Sequence, residues 1–285
     1  MRDVFFLTCG TLRSPAAAVA PLPAFGSLAS FASAAANLAT EGTVALSNTV
    51  GVAVRDSGDV VLVDAGWSTE VCADAPGVLG RVRAASLGVV VSEGDSIAQQ
   101  LRAQGIDASR VKTIVATHLH LDHIGGASDF PNAEVVCSAR EIAAYHAFPR
   151  DLGYRAADLV GAGSIRVVPL DAGPTYGFAS SADVFGDGEI VLLDARGHTP
   201  GQVAVALRTK RECYVHVGDA VYQSWEYALD PSGPCLTARM TSWRKKELVQ
   251  TYARLRSCEA DPRKPRIVPS HDMTVFDLLP HAASS

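Results

Sequence analysis

Short apolar runs bounded by Gly, Asp and Pro alternate along this chain with stretches whose apolar positions return every three or four residues. The runs DVVLVDA (59–65), VKTIVAT (111–117), AEVVCS (133–138), SIRVVPL (164–170), EIVLLDA (189–195), QVAVAL (202–207), CYVHVGD (213–219) and RIVPS (266–270) predict strands, as does the opening MRDVFFLTCGTL. Between them, SIAQQLRAQG sets Ile97 and Leu101 on one helical face and stops at Gly105. SAREIAAYHAF opens with Ser138 and Glu141 in capping-box spacing. SWRKKELVQTYARLRS repeats Trp243, Leu248, Tyr252 and Leu255 near the helical period, which predicts an amphipathic helix laid over a sheet. The pattern is that of mixed strands sandwiched by helices in one domain spanning 1–285. An early segment, about 21–42, places Phe25, Leu28, Phe31, Ala35 and Leu38 along one side of a short helix; it reads as a helical insertion packed on the core, with a lid over a pocket as the alternative.

Composition narrows the class. The 285 residues are 48 % apolar, enough for a sizeable core. A formal net charge of −5, with no basic run longer than Arg244–Lys246, offers no footprint for a polyanion, so no nucleic-acid partner is expected. No stretch reaches the roughly 18 apolar residues of a membrane span. The N-terminus, with Asp3 inside a short apolar stretch, reads as a strand and not as a secretory signal. Six cysteines without CxxC spacing fit reduced thiols in a cytoplasmic protein.

Candidate chemistry is concentrated in THLHLDH, where His118, His120, Asp122 and His123 crowd into a few positions after a predicted strand. His198, Asp219 and His271 likewise follow the carboxyl ends of predicted strands, where α/β folds gather ligands. Imidazoles and carboxylates without thiolates suit zinc and other first-row divalent ions, and two metal positions suggest themselves. His146 and His281, in helical or terminal contexts, read as ordinary residues, and His216 as a strand residue that can support Asp219. Gly125 and Gly126 read as tight backbone turns after the cluster. SWRK has the SxxK spacing of serine acyl-enzymes but no accompanying motif.

The series HLHLDH, GHTPGQ, GDA and PSHD resembles the ligand motifs of the metallo-β-lactamase superfamily over about residues 45–275, and VLVDAG with Asp64 is similar to its early strand and structural aspartate. The resemblance implies an α+β fold, an αββα sandwich of two mixed β-sheets flanked by helices, with a dinuclear site. It implies that His118, His120 and His198 hold one divalent ion, that Asp122, His123 and His271 hold a second, and that Asp219 bridges them. Zinc is the expected metal, with cobalt, iron and manganese compatible with the same ligands.

Tyr222, three residues after Asp219 in GDAVYQ, is similar in spacing to a tyrosine of the N-acyl-homoserine lactonase branch. That resemblance implies a quorum-quenching lactonase that opens the lactone by attack of a hydroxide bridging the two ions. Tyr222 would stabilise the oxyanion and Asp122 would carry a proton to the leaving ring alkoxide. Phe25, Leu28, Phe31, Trp67 and Trp225 are the candidates for an acyl-chain pocket. A homodimer is a family-level expectation. The same ligands also suit a lactonase for another ring, such as a pyridoxine-degradation lactone, or another ester or thioester hydrolase of the superfamily. A metal-binding protein without turnover is the remaining alternative.

Overall fold

The computed structural model describes residues 1–21, 42–148, 153–159, 161, 163–228 and 233–281. β1 (Asp3–Pro15) and β2 (Thr43–Val54) form a long antiparallel pair. β3 (Val60–Val63) joins β2 antiparallel and runs parallel to β5 (Val111–Val115), which continues parallel through β6 (Glu134–Ser138) to β7 (Ser164–Val168). With the two-residue β4 (Val89–Val90), the order in this mixed sheet is β4-β1-β2-β3-β5-β6-β7. The second sheet, in the order β12-β11-β10-β9-β8, is built from β8 (Ser181–Asp183), β9 (Ile190–Asp194), β10 (Val203–Arg208), β11 (Cys213–Gly218) and β12 (Arg266–Pro269). It is antiparallel except for the pair β11–β12.

Alternation along the strands divides the apolar residues among three layers. Val4, Phe6, Val61, Val63 and Val115 of the first sheet meet Leu192, Val203, Val205, Leu207 and Tyr214 of the second, and form the core between the sheets. Their neighbours Phe5, Leu7, Leu62 and Ile114 face outward against the helix Ile97–Ala103. Ala204, Ala206, Val215 and Val217 pack under the helix Lys245–Glu259. Strands covered on both faces read as nearly continuous apolar runs, which is why they stood out in the sequence. The result is the αββα sandwich expected from the motifs.

Each of the predicted strands forms, with ends shifted by one to three residues, and the expected helices form near 97–103, 139–147 and 245–259. The helix Ile97–Ala103 is capped by the Ser96 hydroxyl. In the last helix Leu248, Tyr252 and Leu255 are buried as expected, but Trp243 precedes the helix and is 39 % exposed. Its place in the stripe is taken by Thr251 and Cys258. β2 is not among the expected strands. The insertion expected at about 21–42, with Phe25, Leu28 and Phe31, falls almost wholly outside the described residues. All six cysteines are free and buried. Among the described residues no helix is long and apolar enough to cross a membrane.

Trp67 corrects the expected pocket. It is 1 % exposed and belongs to the core between the first sheet and its helices, so it walls no acyl-chain pocket. Trp225 is half-buried against the core of the second sheet. Replacing Trp67 by Ala is therefore expected to lower the unfolding free energy by about 3–5 kcal/mol, the range for truncating a buried aromatic, read from the midpoint of a urea titration. A loss below about 1 kcal/mol would show the ring to be dispensable to the core.

Candidate metal centre

The seven predicted ligands converge where the carboxyl ends of β5, β9, β11 and β12 meet between the two sheets. The convergence starts from Asp64, just beyond β3, which is fully buried and held in the left-handed region at φ 62°. Non-glycine residues rarely adopt that conformation, and here it aims a carboxylate into the loop after β5. Asp64 Oδ1 accepts from Thr117 N at 2.7 Å; Oδ2 accepts from Thr117 Oγ1 at 2.9 Å and from His123 Nδ1 at 2.8 Å. Since the Thr117 hydroxyl donates to Asp64, its oxygen accepts from His118 Nδ1 at 3.1 Å. His271 Nδ1 donates to Ser47 O at 2.7 Å. Each of these rings thus spends its Nδ1 proton outward and turns a bare Nε2 lone pair inward.

Close backbone packing brings the loops together. A Cβ on Gly218, at φ 53°, would stand 2.6 Å from Thr117 Oγ1, so a larger residue would part β11 from the histidine loop. Gly126 lies where a Cβ would overlap the Ala65 carbonyl, which accounts for one of the two glycines after HLHLDH. The leading helical turn is Leu121–Ile124, on which Asp122 and His123 ride.

Three sets of side chains each bring their ligand atoms within 4.8 Å of one another: His118, His120 and His198; His118, His123 and Asp219; and Asp122, His123 and His271. Asp219 lies between them. Its Oδ1 is 2.9 Å from His123 Nε2 and 3.1 Å from His271 Nε2, and its Oδ2 is 3.4 Å from His198 Nε2. Asp122 Oδ2 stands 3.6 Å from His123 Nε2 and 3.7 Å from His271 Nε2, and is the more accessible carboxylate at 17 %. The Tyr222 hydroxyl donates to Asp219 Oδ2 at 3.0 Å and lies 3.2 Å from Thr241 Oγ1, and its ring stacks on His271 with centroids 5.2 Å apart.

Charge in this buried space is strongly coupled. Burial disfavours the Asp219 carboxylate, yet His271, His123 and His198 outweigh it and hold Asp219 well below the usual carboxylate range. Burial pushes His198 down to about 3, and it pushes His118 down as well, with His123 and His120 adding to the effect. His123 moves the other way, because Asp219, Asp122 and Asp64 together overcome its burial. Burial and then Asp219 raise the Tyr222 phenol well above its ordinary value, so it stays a proton donor at neutral pH.

The donor set fits a metal. The inward Nε2 atoms of His118 and His123 and Oδ1 of Asp219 are buried in a geometry that closes no hydrogen bond among the described residues. With His123 neutral, its bare Nε2 facing a carboxylate oxygen at 2.9 Å sets two lone pairs against each other, a repulsion that a proton on the ring or a divalent cation between them relieves. Neutral imidazoles with carboxylates are the hard-to-borderline ligands of divalent first-row ions.

The sequence missed the segment that ties the two sheets together. Ser47, Asn48 and Thr49 lie in β2, are at most 1 % exposed, and reach three site loops. Ser47 O holds His271, Asn48 Nδ2 donates to Asp122 O at 2.8 Å, and Thr49 O pairs with His216 Nε2 at 3.0 Å. The signal was a polar triplet inside an otherwise apolar run. Asp272 is a second such residue: its Oδ2 accepts from Ser224 N at 2.8 Å, and with Gln223 Nε2 donating to His271 O it fastens the Tyr222 loop to the loop after β12. His216 is buried and packed as expected, and His146 lies away from the cluster on the helix Ala139–Ala147.

A two-sheet sandwich carrying a His/Asp cluster at one end defines a metal-site fold. Residues 45–271 match the profile of the metallo-beta-lactamase superfamily, and the chain belongs to that family. It is 36 % identical over 174 residues to a probable metallo-hydrolase of Mycobacterium tuberculosis, covering 59 % of this chain and 55 % of that protein. The chain thus spans about half the length of this relative. It is 29 % identical over 201 residues to the N-acyl homoserine lactonase AttM of Agrobacterium fabrum, covering 67 % of this chain and 72 % of the relative. The fold is also that of an N-acyl homoserine lactone hydrolase solved with N-hexanoyl-L-homoserine at its metal centre, at 18 % identity, a TM-score of 0.73, and coverage of 99 % of this chain and 98 % of the other.

Replacing Asp64 by Asn keeps the size of the side chain but turns an amide toward donors. Unfolding free energy is expected to fall by roughly 2–4 kcal/mol in urea titration, with a parallel loss of bound metal, because a buried charge-assisted network is left unsatisfied. Unchanged metal content would show that Asp64 does not orient the cluster.

Proposed function

We propose that this chain is a dinuclear metal-dependent hydrolase that opens the ring of N-acyl homoserine lactones. The observation that carries the reading is the Tyr222 hydroxyl, 3.0 Å from Asp219 Oδ2 at the centre of the histidine cluster, together with the likeness to the AttM lactonases. His118, His120 and His198 would hold one ion, Asp122, His123 and His271 the other, with Asp219 shared; zinc best matches this donor set. Two such ions lower the pKa of a water enough to supply hydroxide at neutral pH and polarise the scissile carbonyl.

The chain's own groups divide the remaining work. Tyr222, kept protonated by burial and by Asp219, can turn its hydroxyl from Asp219 to the carbonyl oxygen as negative charge develops there. Asp122 is the carboxylate with access to solvent, and it takes the proton released as the new C–O bond forms. Cleavage of the ring C–O bond leaves an alkoxide, to which Asp122 returns that proton, giving a ring-opened hydroxy acid. Apart from Asp122 and the half-buried His120, the candidate ligands are buried.

The test is a proton-release assay on purified protein of known metal content, offered short- and long-chain acyl homoserine lactones, a plain γ-lactone, a β-lactam and a glutathione thioester. Turnover of the homoserine lactones is expected, lost on chelation and restored by zinc or cobalt. Full metal occupancy with every lactone untouched would overturn the reading. Tyr222→Phe is expected to keep its metal and slow turnover about 100- to 1000-fold, the range for losing one oxyanion donor.

A further inference from the structure

Glu141 was expected to close a capping box with Ser138, and the structure redirects it. The Ser138 hydroxyl does accept from Glu141 N at 3.1 Å, capping the helix Ala139–Ala147. The Glu141 carboxylate instead turns inward, 1 % exposed, and collects four donors from three separate segments. Oε1 accepts from Leu119 N at 3.0 Å and from Tyr154 Oη at 3.0 Å. Oε2 accepts from Thr199 Oγ1 at 2.6 Å and from Gly201 N at 3.2 Å. Leu119 lies between His118 and His120, and Thr199 follows His198. Tyr154 sets its ring edge-on to His120, with centroids 4.9 Å apart. The Ser138 hydroxyl adds a bond to Gly201 O at 2.6 Å, and a Cβ on Gly201 would overlap Glu141 N, so the helix end and the His198 loop lie in direct contact.

One carboxylate thus joins both loops that carry His118, His120 and His198, and among the described residues it forms no hydrogen bond to the loops that carry His271 or Asp219. We infer that Glu141 is a positioning residue for the three-histidine position alone, setting the spacing of its imidazoles through Leu119, Thr199 and Tyr154. The inference rests on the dinuclear reading above and adds to it a division of labour: Asp64 orients His118 and His123, while Glu141 fixes the distance of the His198 loop from the His118–His120 pair. A carboxylate is required for this task. It offers acceptors to all four donors, whereas an amide of the same shape would set its NH2 against Gly201 N–H.

The test is a cobalt titration of metal-free protein followed by visible absorption, with chelator competition, on the parent, Glu141→Gln, and the controls His198→Ala and His271→Ala. Glu141→Gln is expected to bind at the three-histidine position about 10- to 100-fold more weakly, as loss of an orienting partner does, while the other position keeps the parent affinity. Its titration should follow that of His198→Ala and not that of His271→Ala. Parent affinity at both positions, or equal weakening of both together with a lower melting temperature of the metal-free protein, overturns the inference, since the second result marks a general structural role. Thr199→Val removes one donor only and should weaken the same position by a smaller factor; it decides the matter if Glu141→Gln does not fold, and unchanged binding in it overturns the inference. A parent that takes up no cobalt overturns the dinuclear reading itself, and is distinguished from the other failures by appearing before any substitution is made.

Discussion

Several imidazoles can aim lone pairs at one point only if each ring's other nitrogen is held elsewhere, because a free ring rotates and tautomerises. Everything else at this site depends on that constraint. Thr117 holds His118, Asp64 holds His123, and the Ser47 carbonyl holds His271. The cost is a fully buried carboxylate at Asp64, on a backbone in the left-handed region, with no Lys or Arg paired to it among the described residues. Its stabilisation comes from three donors, two of them on Thr117. A short hydroxyl residue ahead of the first histidine therefore has a specific purpose: it relays the pull of Asp64 to His118.

The same geometry explains the spread of protonation behaviour among like residues. His118 and His198 are driven toward the neutral form by burial and by neighbouring imidazoles, against the pull of Asp219, whereas His123, beside Asp219, Asp122 and Asp64, is drawn toward the charged form. Tyr222 belongs to the same balance, since a second negative charge next to Asp219 would be prohibitive. The fold supplies this by bringing five loops together across the join of two sheets, and the apolar core between the sheets fixes how far apart they stand.

How much of this could be read from the sequence follows from the range of each interaction. HLHLDH, GHTPGQ, GDA and PSHD place each candidate ligand a few residues past an apolar run, so local pattern and local motif agree, and the structure brings the seven candidates together. β2 is not legible in this way, because Ser47–Thr49 breaks its apolar run with residues whose partners are as far away as Ser270. Those polar residues are buried because the site needs their carbonyls and amide, which no local rule expresses. Glu141 shows a finer failure: its spacing from Ser138 was legible, and the helix is capped there, but the carboxylate finds stronger use among Leu119, Thr199 and Gly201. Trp67 was misassigned because a large ring near a ligand loop reads alike whether it lines a cavity or fills a core.

The polar triplet of β2 has a further consequence for the order in which the molecule is made. It belongs to the sheet formed by the first part of the chain, yet it holds His271 and His216, which arrive with the last strands. A nascent chain that has completed only the first sheet carries His118, His120 and His123 but has neither Asp219 nor the two remaining histidines to complete the cluster. Each of the three His/Asp sets is thus complete only once both sheets have docked, so that a fully formed cluster reports the finished sandwich.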